Sequence, residues 1–139
     1  MKISLDLNAI MPSYAHDYDA GLDLYAKKNS EIVVIPPFGG SVEIDTGVHM
    51  AIPPHFCGLV KTRSSMLRKR LKTDGLVDSD YTGSIRVFLF NHGTESYIVR
   101  PGDKIAQIVI SPCLRPPLEL VDGLESNGRG DNGFGSTGR

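Results

Sequence analysis

Short runs of β-branched, aliphatic and aromatic residues recur at close spacing along this chain, each cut off by strong turn formers, and that punctuation restricts it to an all-β architecture. The runs cover residues 3–7, 31–35, 41–46, 48–52, 56–61, 85–90, 96–99 and 104–110. Pro36-Pro37, Gly39-Gly40, Pro53-Pro54, Asn91-His92-Gly93 and Pro101-Gly102 separate them. Within the runs the pattern has period 2: Val42, Ile44 and Thr46 alternate with Ser41, Glu43 and Asp45, and Ile85-Arg86-Val87-Phe88 alternates likewise. A helical stripe is absent, and only residues 64–71 are open to a short helix.

At 139 residues the chain is one domain in size, and a domain of this length buries roughly two thirds of the surface its unfolded form exposes. A core is therefore available without staples. Fifteen basic and sixteen acidic residues leave a formal charge of −1, which excludes the basic footprint of a general nucleic-acid binder. No stretch approaches the apolar length of a membrane span, and Lys2 and Asp6 break up the N-terminal segment as a signal sequence. The expectation is an intracellular protein, cytoplasmic or, in a eukaryotic host, nuclear, with neither nucleic acid nor membrane as partner. Cys57 and Cys113 lack metal-site or disulfide-scaffold spacing and read as small buried hydrophobes. His16, His49, His55 and His92 likewise lack metal-ligand spacing.

Residues 126–139 read SNGRGDNGFGSTGR, with five glycines in fourteen residues and one aromatic, too little apolar surface to order itself. The expected organisation is a single β domain over 1–125 and a mobile arm over 126–139.

Five segments carry candidate chemistry. Ala20-Gly21-Leu22-Asp23-Leu24-Tyr25-Ala26 places a carboxylate in an apolar stretch beside a glycine that permits close backbone approach, although a strand opening explains it equally. Thr62-Arg63-Ser64-Ser65-Met66 offers a forked cation and two hydroxyls, suited to a phosphate. It begins a basic stretch of Lys61, Arg63, Arg68, Lys69, Arg70 and Lys72, otherwise a solvated face. Gly75-Leu76-Val77-Asp78-Ser79-Asp80-Tyr81-Thr82-Gly83 holds two carboxylates between glycines, a base and a metal ligand or simply a polar turn. Gln107 lies inside an otherwise apolar strand, where a buried amide needs partners. The run from Arg129 to Gly138 exposes backbone N–H groups that can form an anion nest, with Phe134 available to stack on a flat ring. No lysine or following helix completes a Walker loop there.

Taken together and in this order, the five segments resemble the five motifs of the trimeric dUTPases, over essentially the whole chain. The resemblance implies a β-barrel or jelly-roll-like subunit and a homotrimer with active sites between subunits. It implies Mg2+-assisted hydrolysis of dUTP to dUMP and pyrophosphate, which limits uracil in DNA and supplies dUMP for thymidylate synthesis. Carried over, Asp78 matches the carboxylate that activates the attacking water, and Gln107 the amide near the α-phosphate. Asp23 matches the acid that holds Mg2+ through its water shell, and Asp80 becomes structural. Arg63, Ser64 and Ser65 match the grip on the phosphates, Gly75 the base-reading hairpin, and Tyr81 the aromatic under the deoxyribose. Arg129, Phe134, Gly135, Ser136 and Thr137 match the closing arm, with Phe134 over uracil and Ser136 and Thr137 near the γ-phosphate.

The connection between Arg63 and Asp78 is shorter than is usual in the family, with Lys72-Thr73-Asp74 where small or amide residues are commoner. An Asp74 facing the base favours an exocyclic amine over a carbonyl. The competing readings are a dCTP deaminase-like or relaxed-specificity nucleotide pyrophosphatase, and a regulatory interaction protein on the same fold. The deaminase needs a glutamate after the Arg-Ser-Ser element; the acids between Ser65 and Ile85 are Asp74, Asp78 and Asp80.

Overall fold

Alternation along the strands sets which side chains go inside. In the computed structural model, which describes residues 1–125 and 128, Arg86–Asn91 exposes Arg86, Phe88 and Phe90 and buries Val87, Leu89 and Asn91. The expected period-2 faces are thus present, and the expected all-β, jelly-roll-like subunit is the fold observed.

The strands in chain order are β1 (Lys2–Leu5), β2 (Leu22–Tyr25), β3 (Val33–Ile35), β4 (Gly40–Asp45), β5 (Val48–Ala51) and β6 (Phe56–Lys61). After the short helix α1 (Ser64–Arg68) come β7 (Leu71–Lys72), β8 (Asp74–Val77), β9 (Arg86–Asn91), β10 (Tyr97–Val99) and β11 (Lys104–Pro112). All pairings are antiparallel: β1 with β5, β3 with β10, the three-stranded order β4-β9-β7, and the four-stranded order β2-β11-β6-β8. The sheets enclose one core, built from Leu22, Leu24, Ile35, Ile44, Val48, Val60, Val87, Leu89, Ile105 and Ile108 among others.

The helix is shorter than the segment open to it. Arg70 takes a left-handed backbone (φ 59°) after Lys69, and Leu71 leaves to pair with Asn91 in β7. Burying Leu71 completely in the core outweighs extending an exposed helix by one turn. His16, His49, His55 and His92 form no metal cluster among the described residues. No helix is long and apolar enough to cross a membrane.

Candidate active site

The four-stranded sheet turns one face to the core and the other outward. Leu22, Leu24, Ala106, Ile108 and Val60 point inward, so the residues between them point out. Asp23 is opposite Gln107, Gln107 opposite Lys61, and Lys61 opposite Asp74. These four form a polar row across all four strands.

Asp23 is only 5% exposed, and its charge is met from two sides. Arg63 Nε donates to Asp23 Oδ1 at 2.7 Å, and Lys104 Nζ forms an ion pair with Oδ2 at 2.7 Å, off the alignment of a hydrogen bond. The Asp23 carboxylate in turn raises the Lys104 pKa above its ordinary value, despite the opposing cost of burial. Arg63 sits where β6 ends and α1 begins, and its Nη1 also donates to Ser65 Oγ at 3.3 Å. Gln107 Nε2 donates weakly to the Thr62 carbonyl at 3.4 Å, which leaves its Oε1 facing the cleft. That cleft, about 310 Å³, is lined by Gly21, Asp23, Arg63, Ser64 and Gln107 with His16 and Asp19 at its rim.

Lys104 was not singled out from the sequence. It is three residues from Gln107, and in a regular strand that spacing puts them on opposite faces. A bulge between Lys104 and Ala106 pairs Lys104 with Tyr25 and Ala106 with Leu24, which brings Lys104 onto the face of Asp23 and Gln107. The only signal in the sequence is a lysine opening the strand.

Two glycines are dictated by site residues. A Cβ on Gly21 would lie 3.0 Å from Gln107 Oε1 and 3.1 Å from Gln107 Cβ, and one on Gly83 would lie 2.6 Å from Tyr81 Cζ. At Gly75 a Cβ would meet Val60 only at ordinary contact distance, so packing does not demand glycine there.

Asp78 and Tyr81 stand elsewhere. Val77, the last residue of β8, pairs with Gly58, so Asp78 just beyond it follows at about the level of Cys57, four residues along the chain from Asp74 and two strands away from Gln107. At about 3.3 Å per residue and 4.8 Å per strand, Asp78 and Gln107 are roughly 16 Å apart on the same outward face. Asp78 borders one cleft of about 280 Å³ with Leu76, Tyr81, Arg86 and Phe88, and another of about 330 Å³ with Cys57, Asp80, Cys113 and Arg115. Tyr81 is 45% exposed and its hydroxyl donates to the Ser84 carbonyl at 3.0 Å. Asp74, the acid in the short connection, is ion-paired to Lys61 at 2.5 Å, and that contact lowers its pKa.

The chain thus gathers Asp23, Arg63, Ser64 and Gln107 in one cleft and holds Asp78 and Tyr81 in another. Ser65 is exposed beside the first. Arg129, Phe134, Gly135, Ser136 and Thr137, and the arm itself, lie outside the described residues. The cysteine expectation is corrected: Cys57 is buried, but Cys113 is half-exposed and shares a cleft with it, because both lie on the outward face.

A Mg2+ site fits these residues in one form. Among the described residues no three His, Cys, Asp or Glu side chains converge, and both Asp23 oxygens already face cations. That suits an ion carried mainly by phosphates and water, as Mg2+ commonly is, and not one caged by protein.

Known proteins resemble this chain over nearly its whole length. Residues 7–138 match the dUTPase family model. The deoxyuridine 5'-triphosphate nucleotidohydrolase of Syntrophotalea carbinolica is 40% identical over 138 residues, covering 96% of this chain and 92% of that protein. The enzyme of the same name from Gloeothece citriformis is 44% identical over 138 residues, with the same coverages. A dUTPase of Staphylococcus bacteriophage 80alpha solved with dUpNHpp superposes with a TM-score of 0.87 at 30% identity, over 99% of this chain and 98% of that one. The dUTPase of the S. aureus phage phi11, described with a structural Mg(II) ion, superposes with a TM-score of 0.78 at 28% identity, over 90% and 98%. With a family match spanning nearly its whole length and both clefts on one sheet face, the chain belongs to the dUTPase family.

Proposed function

We propose that this protein is a dUTP diphosphatase that hydrolyses dUTP to dUMP and pyrophosphate at sites completed by neighbouring copies of the chain, in a homotrimer. The observation that carries the reading is the buried Asp23 carboxylate, paired with half-buried Arg63 and Lys104 beside Gln107, on the same sheet face as Asp78 but roughly 16 Å from it. No single phosphorus atom reaches both ends within one chain. A second copy that brings its Asp78 opposite Gln107 would assemble water, base and phosphate in one place.

In this reading Arg63, Ser64 and Ser65 bind the triphosphate, and the clustered cations offset its charge as it grows in the transition state. Asp78 orients the attacking water and accepts its proton, a contribution worth about 10²–10⁴-fold for a positioned base. Gln107 Oε1 and its free N–H hold the water and the α-phosphate oxygen. Tyr81 packs under the deoxyribose, where a 2′-hydroxyl would clash, and Gly75 lets the β8 backbone approach the base. Arg129 and the run from Phe134 through Gly135, Ser136 and Thr137 close over the nucleotide and exclude water. Asp23 would hold Mg2+ through water, and the ion would supply charge neutralisation at the phosphate oxygens. The cellular consequences are a low dUTP pool, less uracil in DNA, and dUMP for thymidylate synthesis.

The Lys61–Asp74 ion pair bears on base selection. It removes the free carboxylate that would favour an exocyclic amine, so it weighs toward uracil over cytosine. Pyrophosphate release from dUTP, dCTP, dTTP and UTP, each with Mg2+ and with chelator, tests the whole reading. Selective Mg2+-dependent release of dUMP is expected; equal turnover of dCTP or dTTP would refute uracil selection, and no turnover would move the protein to the regulatory reading.

A further inference from the structure

The cleft behind Asp78 contains a pair of thiols that the hydrolysis does not use. Cys57 in β6 is directly opposite Ser111 in β11, and the Cys113 N–H continues that ladder by donating to the His55 carbonyl at 2.7 Å. Cys113 is therefore diagonal to Cys57 on the same outward face, a relation that leaves the side chains within reach of each other. Burial first, and then the neighbouring Cys113 thiol, push the Cys57 pKa up, with the Asp78 charge adding to it. On its other side Cys57 is level with Asp78, so Ser111, Cys57 and Asp78 fall in one row with Cys113 diagonal to it, and both thiols and Asp78 line one cleft with Arg115.

Diagonal Cα atoms stand about 7–8 Å apart, beyond the span of an unstrained disulfide, so the pair suits an inserted bridging atom better than a direct S–S bond. Among the described residues no third ligand converges on them, which excludes a tetrahedral zinc centre and leaves a two-sulfur site for a soft acceptor.

We propose that Cys57 and Cys113 form a dithiol site for a soft thiophilic centre such as trivalent arsenic, and that a bridge there shuts the cleft against the partner copy's substrate at Asp78. The closure rests on the Asp78 assignment above; the dithiol site itself does not. With phenylarsine oxide two S–H bonds break and two As–S bonds form. Arsenic stays trivalent, and the oxide oxygen leaves as water with both thiol protons. Half-exposed Cys113 reacts first, and buried Cys57 closes the ring.

The test treats the full-length assembled protein with one equivalent of phenylarsine oxide per chain, then reads intact mass and dUTP turnover. One phenylarsenic group per chain is expected, surviving excess 2-mercaptoethanol and released by dithiothreitol. Cys57→Ser and Cys113→Ser should each lose that resistance. Turnover of the unsubstituted protein should fall about 10²-fold or more, the share of a positioned base, and recover with dithiothreitol, while Cys113→Ser turnover stays unaffected. An adduct stripped by the monothiol, or equally retained by the single variants, would overturn the dithiol site. Full occupancy with undiminished turnover would overturn the closure. If Asp78→Asn kept full activity, the Asp78 assignment and the closure would fall together, while a monothiol-resistant adduct would still uphold the site.

Discussion

Gln107 is held as much by what Gly21 lacks as by any bond it makes. Its one side-chain hydrogen bond among the described residues is long, at 3.4 Å, whereas a methyl at Gly21 would press on its Cβ and Oε1. Gly21→Ala is therefore expected to lower kcat about 10- to 100-fold through displacement of the amide, with the melting temperature little changed. Steady-state kinetics beside thermal unfolding checks this; an unchanged kcat would remove Gln107 from the site. Gly75 makes the contrast, because Gly75→Ala meets only ordinary contact and should fold normally, so a raised KM for dUTP there would report substrate against the backbone. At the far cleft, Asp78→Asn should abolish turnover while calorimetry still detects dUTP binding, and Asp80→Asn should cost far less. The reverse order would exchange their roles.

The turn that carries Asp78, Asp80 and Tyr81 is tied down at its far end. His49 Nδ1 donates to the Thr82 carbonyl at 2.8 Å and its Nε2 lies 3.2 Å from Asp6 Oδ1, so both contacts are hydrogen bonds only in the imidazolium. The Thr82 carbonyl first, and Asp6 with it, raise the His49 pKa above 6.5 against the cost of burial. A raised folded value means this support is complete below about pH 6.5 and is lost as pH rises through the folded pKa. The melting temperature should thus fall across that range, and His49→Asn should flatten the slope. Asp45 works oppositely. Burial raises its pKa, but Lys27 at 2.7 Å, the Ser84 hydroxyl and the Gly47 N–H at 3.0 Å together bring it from 3.8 to about 2. Its support is full above about pH 4 and is lost as pH falls toward 2. Acid unfolding of Asp45→Asn should lack that component, measured by the pH midpoint of the lost near-UV signal.

Two features of the whole subunit point beyond it. Asp78 and Gln107 are roughly 16 Å apart, and over residues 113–125 the chain runs without regular structure while Leu114, Leu118, Leu120 and Leu124 are each at least 90% exposed. Apolar side chains in such density normally mark a surface that another chain covers. Complementation measures whether sites are shared. Asp78→Asn and Gln107→Ala are each expected to be inactive, but refolded together in equal amounts they should regain about a quarter of full activity. That is the fraction of sites drawing an intact Asp78 from one chain and an intact Gln107 from another under closed symmetry. No recovery from a mixture shown to assemble would place both residues' work within one chain.

Local chemistry was enough to read most of the strands and the candidate residues from the amino acids alone. Period-2 alternation in residues such as Val87 and Leu89, and the Pro and Gly turns, are properties of neighbours in sequence. The same holds for Asp23, Arg63, Asp78 and Gln107, legible because each is polar within or beside an apolar or glycine-rich run. What depends on chain folding was not legible. Strand β2 is short and carries Asp23 between its core leucines, the bulge that turns Lys104 toward Asp23 leaves no mark in composition, and strand register alone makes Cys57 a neighbour of both Cys113 and Asp78. The separation of Asp78 from Gln107 belongs to the same class. Sequence determined which chemistry this chain carries, and tertiary structure decided which parts of it meet, because register and burial are set by contacts between residues far apart along the chain.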